Sequence, residues 1–259
     1  MSEHTSSDDD ERDRWERILS TRTEETFRDF VFDQVNPGAD ESVLSVGCGP
    51  GFETTALAQY IGGDGSITGI DANEEVLAAA RDRSGELPQV SFDQGNIVDL
   101  PVPDESYDLA IAKQVLYAVS DIEAALDELF RVVRPGGRVA VTAGDKRTHV
   151  KHTPTDRMQR ADEIYRADID HSQLGTRLVG WLPEAGFTVE DVVPRAKIQT
   201  EINDQIEQGI GVQRGLLETS DAFDSEEVDA WEQDVRELNA TGQFLSCSTS
   251  FLYIARKPE

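Results

Sequence analysis

The chain has 259 residues, 38% of them hydrophobic, with 24 Lys and Arg against 51 Asp and Glu and a formal net charge of −27. That supports one packed domain with modest additions and excludes a chain disordered throughout; with no long apolar run and a polar, acidic start, neither a membrane span nor a secretory signal is expected, and the cytoplasm is the expected compartment. A field of that sign gives a polyanion no help, so nucleic acid is not an expected partner.

Residues 1–13 read as a disordered acidic leader. From Trp15 to Val35, apolar residues recur at helical spacing, as one broken helix or two short ones, and Asn36-Pro37-Gly38 stops them. An alternation follows. Strands are expected at Val43–Gly47, Ser66–Asp71, Val90–Asp93, Tyr107–Ala112 and Arg138–Ala143, with helices at Glu53–Ile61, Asn73–Arg83 and Asp121–Val133 between them. This order implies a Rossmann-like, doubly wound α/β fold with a mostly parallel sheet. Residues 144–172 are polar, hold three of the four histidines and, with residues 200–241, make up the expected helical insertions. Leu174–Ala185 reads as a helix, Phe187–Val193 as a strand, residues 200–241 as acidic helix, and Phe244–Ala255 as a last strand. With no linker in sight, residues 14–259 form one expected domain: cap helices over 14–36 and insertions at 144–172 and 200–241.

Two cysteines, Cys48 and Cys247, without a C-x-x-C, indicate neither a zinc site nor a redox pair. The first strand runs into Gly47-Cys48-Gly49-Pro50-Gly51 and then a helix. Small residues let the backbone approach a ligand, and the helix offers its first amides. The spacing is G-x-G-x-G rather than the dinucleotide G-x-G-x-x-G. Asp71 closes the second strand, where a carboxylate accepts from ribose hydroxyls or caps the next helix.

These segments (VLSVGCGPG, ITGIDAN, QGNIVDLP, YDLAIAKQVLYAV and LFRVVRPGGRVAV, in this order over residues 43–143) resemble the class I S-adenosylmethionine-dependent methyltransferases. The central motifs are similar to those of ubiquinone and menaquinone methyltransferases. The resemblance implies about seven strands, the last one antiparallel. It implies that Gly47, Cys48, Gly49 and Gly51 border the methionine part of S-adenosylmethionine, and that Asp71 binds the ribose. Ala72 and Ile97 would pack on adenine, Asn96 would bond its amino group, and Lys113 and Gln114 would lie beside the sulfonium. Two positions depart from the family pattern. Ser45 stands where an acid commonly helps hold the cofactor's ammonium; it accepts a hydrogen bond but carries no charge, which implies either lower affinity or a compensating acid elsewhere. Asn96 stands where Asp is frequent, and its amide oxygen accepts equally well.

Methyl transfer from a sulfonium is an in-line displacement that needs alignment and exclusion of water more than covalent help. The two insertions are expected to cover the cofactor, which suits a small-molecule acceptor. Their candidate polar contacts are Asp145, Arg147, His149 and His152, with His149 as candidate base because imidazole titrates near neutrality; Tyr117, Tyr165 and Trp181 are candidate ring contacts. H-x-x-H on a loop is too little for a metal site, and none is expected. The alternatives are a protein or RNA methyltransferase and a non-catalytic cofactor-binding protein. Oligomeric state has no signature here. The spread of acidic residues along the chain fits a salt-rich cytoplasm such as that of a halophilic archaeon.

Overall fold

Val43, Leu44, Ser45 and Val46 are all buried, as a strand covered on both faces must be, and this strand is the centre of the fold. The computed structural model describes residues 13, 15–167 and 173–259; of the acidic leader only Asp13 falls among them. Helical residues 15–19 are followed by a break, where Thr21 accepts from the Glu24 amide and starts α1 (Arg22–Val35). The alternation then runs β1 (Ser42–Val46), α2 (Phe52–Leu57), β2 (Ser66–Asp71), α3 (Glu74–Ser84), β3 (Val90–Gln94), β4 (Tyr107–Lys113), α4 (Ile122–Val132) and β5 (Val133–Gly144). Beyond it come β6 (Val150–Lys151), α5 (Asp156–Ala167), α6 (Leu174–Glu184), β7 (Thr188–Gln199), α7 (Asp204–Glu218), α8 (Ser225–Ala240) and β8 (Ser246–Arg256).

The eight-stranded sheet has the order β3-β2-β1-β4-β5-β8-β6, with β7 also paired to β8. The pairs β1–β2, β2–β3, β1–β4 and β4–β5 are parallel, so their connections must be crossovers, made by α2, α3 and α4 for β1–β2, β2–β3 and β4–β5, while β8 runs antiparallel to β6. The fold is therefore the mostly parallel, Rossmann-like sheet expected, with one strand more than the expected seven.

The chain divides into two compact units. The first comprises Met1–Ala143, Arg177–Val193 and Phe251–Glu259. Its core joins Phe27, Val31 and Phe32 of α1 to Val43, Ile67, Leu109, Ile111, Leu252 and Ile254 of the sheet. The second comprises Gly144–Thr176 and Pro194–Ser250, and has its own core of Met158, Ala161, Ile210, Leu217, Phe223, Val228 and Trp231, from α5, α7, α8 and the α7–α8 connection.

Residues 144–172, expected as part of the helical insertions, hold α5 at Asp156–Ala167, with a buried stripe of Met158, Ala161 and Asp162. Two boundaries differ from the sequence-based expectation. The fifth strand starts at Val133, five residues early, because Val133 pairs with Tyr107 across an irregularity and Pro135-Gly136-Gly137 lies inside the strand. The helix after the glycine loop ends at Leu57 instead of Ile61, and the following turn is tied to Ala39 by the Gly62 amide. Among the described residues no helix is long and apolar enough to cross a membrane.

Candidate functional site

At the carboxyl end of β1 the chain turns through three glycines with left-handed φ: Gly47 at 64°, Gly49 at 54° and Gly51 at 80°. A Cβ on Gly47 would lie 2.4 Å from Val115 Cγ2, and one on Gly51 would lie 2.9 Å from Ala80 Cα. Both positions thus exclude a side chain on two counts. The loop is tied to β2 by the Cys48 amide, which donates to the Ile70 carbonyl at 3.0 Å. The Cys48 thiol is buried, and burial, then Asp71 and Glu53, push its ionisation far above the ordinary range. It is packing, not a nucleophile.

Asp71 links the loop to the next crossover. Its Oδ2 accepts from Gly49 N at 2.9 Å and its Oδ1 from Asn73 N at 3.0 Å. The helix cap that the sequence also allowed for Asp71 belongs to Asn73, whose Oδ1 accepts from Glu75 N and Val76 N. A carboxylate has about four acceptor sites, so each Asp71 oxygen keeps one for a hydroxyl. Beside it Ala72 is exposed; at the end of β3 Asn96 is exposed, holding Val98 N at 3.2 Å, and Ile97 is buried.

Lys113 ends β4, almost wholly buried, with its Nζ 3.4 Å from Glu24 Oε2 and 5.5 Å from the centre of the Phe27 ring. Gln114 follows at φ 60°, rare for a residue with a side chain, and its amide donates to Thr142 Oγ1 at 2.9 Å. Gly47, Cys48, Gly49, Gly51, Asp71, Ala72, Asn96, Ile97, Lys113 and Gln114 thus sit at or just past the carboxyl ends of β1, β2, β3 and β4, where ligands bind in open parallel sheets.

Glu53 was not foreseen. It enters from the first turn of α2, and its Oε1 accepts from Ser45 Oγ at 2.9 Å, both residues buried. Its Oε2 is buried with no hydrogen-bond partner. Burial pushes the Glu53 carboxyl up, against the pull of Lys113, the Ser45 hydroxyl and Arg28. A signal was available: an acid in the loop's own helix, eight residues after a serine standing in an acid's place.

In the second unit the candidates fall into separate groups. Asp145 accepts from Arg147 Nη2 at 2.7 Å and from Thr176 Oγ1 at 2.6 Å; these hydrogen bonds outweigh burial and hold its carboxyl below the usual range. His149 packs against Tyr165 with ring centres 5.4 Å apart. Burial, then Lys151, Arg166 and Lys146, lower the His149 imidazole to about 4, and its Nδ1 is buried without a partner. His152 Nδ1 instead lies 2.9 Å from the Gln243 carbonyl, so the two histidines of H-x-x-H face different surroundings. Among the described residues no group of three or more His, Cys, Asp or Glu is placed to hold a metal ion. In the first unit Tyr117 is exposed in a short 3₁₀ turn, and Trp181 lies under the Arg177 guanidinium at 4.4 Å.

A methyltransferase domain family matches residues 37–201. An arsenite methyltransferase of Halobacterium salinarum is 31% identical over 177 residues, covering 67% of this chain and 44% of its own length. A demethylmenaquinone methyltransferase of Staphylococcus epidermidis is 32% identical over 127 residues, covering 49% of this chain and 53% of its own. The chain thus spans about half the length of these curated relatives. A solved Haemonchus contortus N-methyltransferase, in complex with phosphomonomethylethanolamine and S-adenosylhomocysteine, superposes with a TM-score of 0.59 at 15% identity, over 99% of this chain and 59% of that one. At that identity the likeness is one of fold.

Proposed function

The chain belongs to the class I S-adenosylmethionine-dependent methyltransferases, and from that premise we propose that it transfers the cofactor's methyl group to a small-molecule acceptor by in-line displacement. The observation that carries this reading is the Asp71 carboxylate, which fixes the glycine loop through Gly49 N and retains acceptor capacity at the end of β2. The residues fit the cofactor: the loop admits no Cβ at Gly47 or Gly51, leaving backbone open to close approach, and the unpartnered Glu53 oxygen asks for a cationic donor. When bound, S-adenosylmethionine supplies an electrophilic methyl on a sulfonium.

The chain supplies the rest. Gly47, Cys48, Gly49 and Gly51 border the amino-acid end of the cofactor, and Glu53 with Ser45 holds its ammonium. Asp71 accepts from the ribose; Ala72 and Ile97 line the adenine and Asn96 accepts from its amino group. Lys113, neutralised by Glu24, and Gln114 position the reacting end without adding net charge beside the sulfonium.

The named relatives act on small molecules, and the net charge of −27 disfavours a polyanionic acceptor. Arsenite itself does not suit this chain: a soft thiophile needs several thiolates, and the two cysteines are the buried Cys48, with its raised ionisation, and Cys247 in the other unit. His149 is the candidate base. A neutral imidazole lowered to about 4 is ready to accept but pulls weakly, so it suits an acceptor whose proton is already acidic.

Calorimetry with S-adenosylhomocysteine in about 1 M KCl, where charge repulsion is screened, tests the cofactor. Methyl-labelled S-adenosylmethionine with a metabolite extract tests the acceptor. Labelled product is expected in the ultrafiltrate; label retained on protein or RNA overturns the small-molecule reading, and absence of cofactor binding overturns the whole.

A further inference from the structure

Arg28 of α1 is a buried cation with no carboxylate within ion-pair distance among the described residues. The residue is 8% exposed; its Nη1 donates to the Leu19 carbonyl at 3.0 Å, and its Cζ lies 5.4 Å from the centre of the Phe52 ring. A guanidinium brings five donors in a fixed fork, and this one spends a single donor on the chain. A charge taken out of water needs a counter-ion and further hydrogen bonds to offset its lost hydration. Two neighbouring cations have theirs. Arg83, 3.5 Å from the centre of the same ring, pairs with Glu16 and donates from Nε to the Pro50 carbonyl at 2.7 Å, while Lys113 pairs with Glu24.

The contacts of Arg28 place it against the glycine loop, with every group concerned inside the first unit. Phe52 opens α2 directly after Gly51, and Leu19 Cδ1 would lie 3.7 Å from a Cβ on Gly49. Arg28 thus contacts both the residue that follows the loop and the residue packed on its middle. Next to Phe52 stands the converse case, Glu53, a buried acid whose Oε2 has no partner. Burial raises the Glu53 carboxyl, and Lys113, the Ser45 hydroxyl and the Arg28 charge draw it down. Arg28 therefore acts on Glu53 through space, yet the two form neither an ion pair nor a hydrogen bond.

Two opposite charges, both buried, both with bonding capacity left and not joined to each other, match an α-amino acid zwitterion. Its ammonium donates to Glu53, and its carboxylate accepts from the guanidinium fork, both as charge-assisted bonds. The charge balance agrees. Arg28 and Lys113 against Glu24 and an ionised Glu53 sum to zero, and a zwitterion keeps the sum at zero. An ammonium alone would leave one positive charge too many out of water, where an uncompensated charge is most unfavourable. We infer that Arg28 binds the carboxylate of the cofactor's amino-acid end, so that the site selects an intact α-amino acid over an amine. The inference rests on the reading of the glycine loop and Glu53 as the cofactor site and adds to it a binding residue from α1.

Calorimetry on the full chain in about 1 M KCl, which screens long-range attraction and repulsion, compares S-adenosylhomocysteine with its decarboxylated analogue. The analogue keeps the ammonium and loses only the carboxylate. The wild type is expected to prefer S-adenosylhomocysteine roughly 10- to 100-fold. Arg28→Met should erase most of that preference, because it weakens S-adenosylhomocysteine far more than the analogue. Arg28→Lys should keep part of it, since an ammonium offers the charge without the fork. An Arg28 that only steadies Leu19 and Phe52 would, when replaced, weaken both ligands alike and leave their ratio unchanged. An unchanged ratio in either folded variant overturns the proposal, as does a wild type that binds the two ligands equally. A thermal melt shows whether Arg28→Met folds; if it does not, Arg28→Lys carries the same comparison. Failure of the wild type to bind either ligand would instead remove the cofactor reading on which the proposal stands.

Discussion

Glu53 holds one oxygen to Ser45 and buries the other without a partner. A desolvated carboxylate left half-satisfied is unfavourable, and a cationic donor at Oε2 relieves it. If that donor is the cofactor's ammonium, Glu53→Gln should weaken S-adenosylmethionine and S-adenosylhomocysteine by ~1.5–3 kcal/mol, the worth of a charged hydrogen bond. The same variant should leave 5′-methylthioadenosine, which lacks the amino-acid group, nearly unaffected. Adding Ser45→Asp returns an acid to the strand and should recover binding; equal losses for all three ligands would remove Glu53 from this role. The sign with pH follows from its upward shift. A carboxyl raised in the folded state favours folding below its unfolded midpoint, and that contribution is lost as pH climbs through the folded one. The ammonium prefers the ionised form, so cofactor binding should release a proton and strengthen as pH rises through the raised midpoint, read as enthalpies that depend on the buffer. Asp71 behaves differently because the apo protein already uses it. Asp71→Ala should lower S-adenosylhomocysteine affinity by ~1.5–3 kcal/mol and also lower the melting temperature, since Gly49 N and Asn73 N both lose their acceptor. An unchanged affinity in a folded variant would take Asp71 out of the site.

At the scale of elements, the glycine loop is the most demanding piece. Gly51→Ala combines a φ of 80° with a Cβ 2.9 Å from the backbone of α3 at Ala80, so α2 and α3 must move apart. Gly85→Ala shares the left-handed φ, at 55°, but its Cβ meets nothing within 4 Å. Gly51→Ala should therefore cost clearly more than the ~1–2 kcal/mol of left-handed strain alone and should weaken the cofactor, whereas Gly85→Ala should show the strain and keep affinity; similar melting points for the two would refute the contact argument. The parallel strands were legible because β1, β2 and β4 are short apolar runs, ended by Gly47, Asp71 and Lys113, and Asp121 and Asn73 announce the helices they cap. The bounds of α5, within an insertion expected to be helical, were not legible: its period rests on Met158 and Ala161, and its partners come from α7 and α8, more than forty residues on. Residues 200–241, expected as cover for the cofactor, build within the second unit a core around Leu217 and Trp231, which a period in one segment does not reveal. Glu53 was missed for a related reason. Its meaning lies in a contact with Ser45 on another element, and a single acid at a helix start otherwise reads as a favourable charge on the helix dipole.

On the scale of the whole molecule, the net charge of −27 sets two effects of salt against each other. Added salt weakens exposed ion pairs such as Arg236 with Glu207 and Glu232, and Arg81 with Glu74. Those contribute little individually. Salt also screens the repulsion among acids, and with 51 acids against 24 bases most carboxylates cannot find a base to pair with, so repulsion dominates. The melting temperature should accordingly rise with KCl. The shape of the rise separates causes. Screening lengths fall from about 10 Å at 0.1 M to about 3 Å at 1 M, so a gain that comes from relieved repulsion is steep at first and shallow near molar salt. A gain from exclusion of salt at the protein surface grows steadily instead, and should be larger with a kosmotropic anion such as sulfate at equal ionic strength. Melts in KCl and in potassium sulfate over the same ionic strengths decide it: coincident, saturating curves are expected, and a flat or falling melting temperature in KCl would end the salt-adaptation reading.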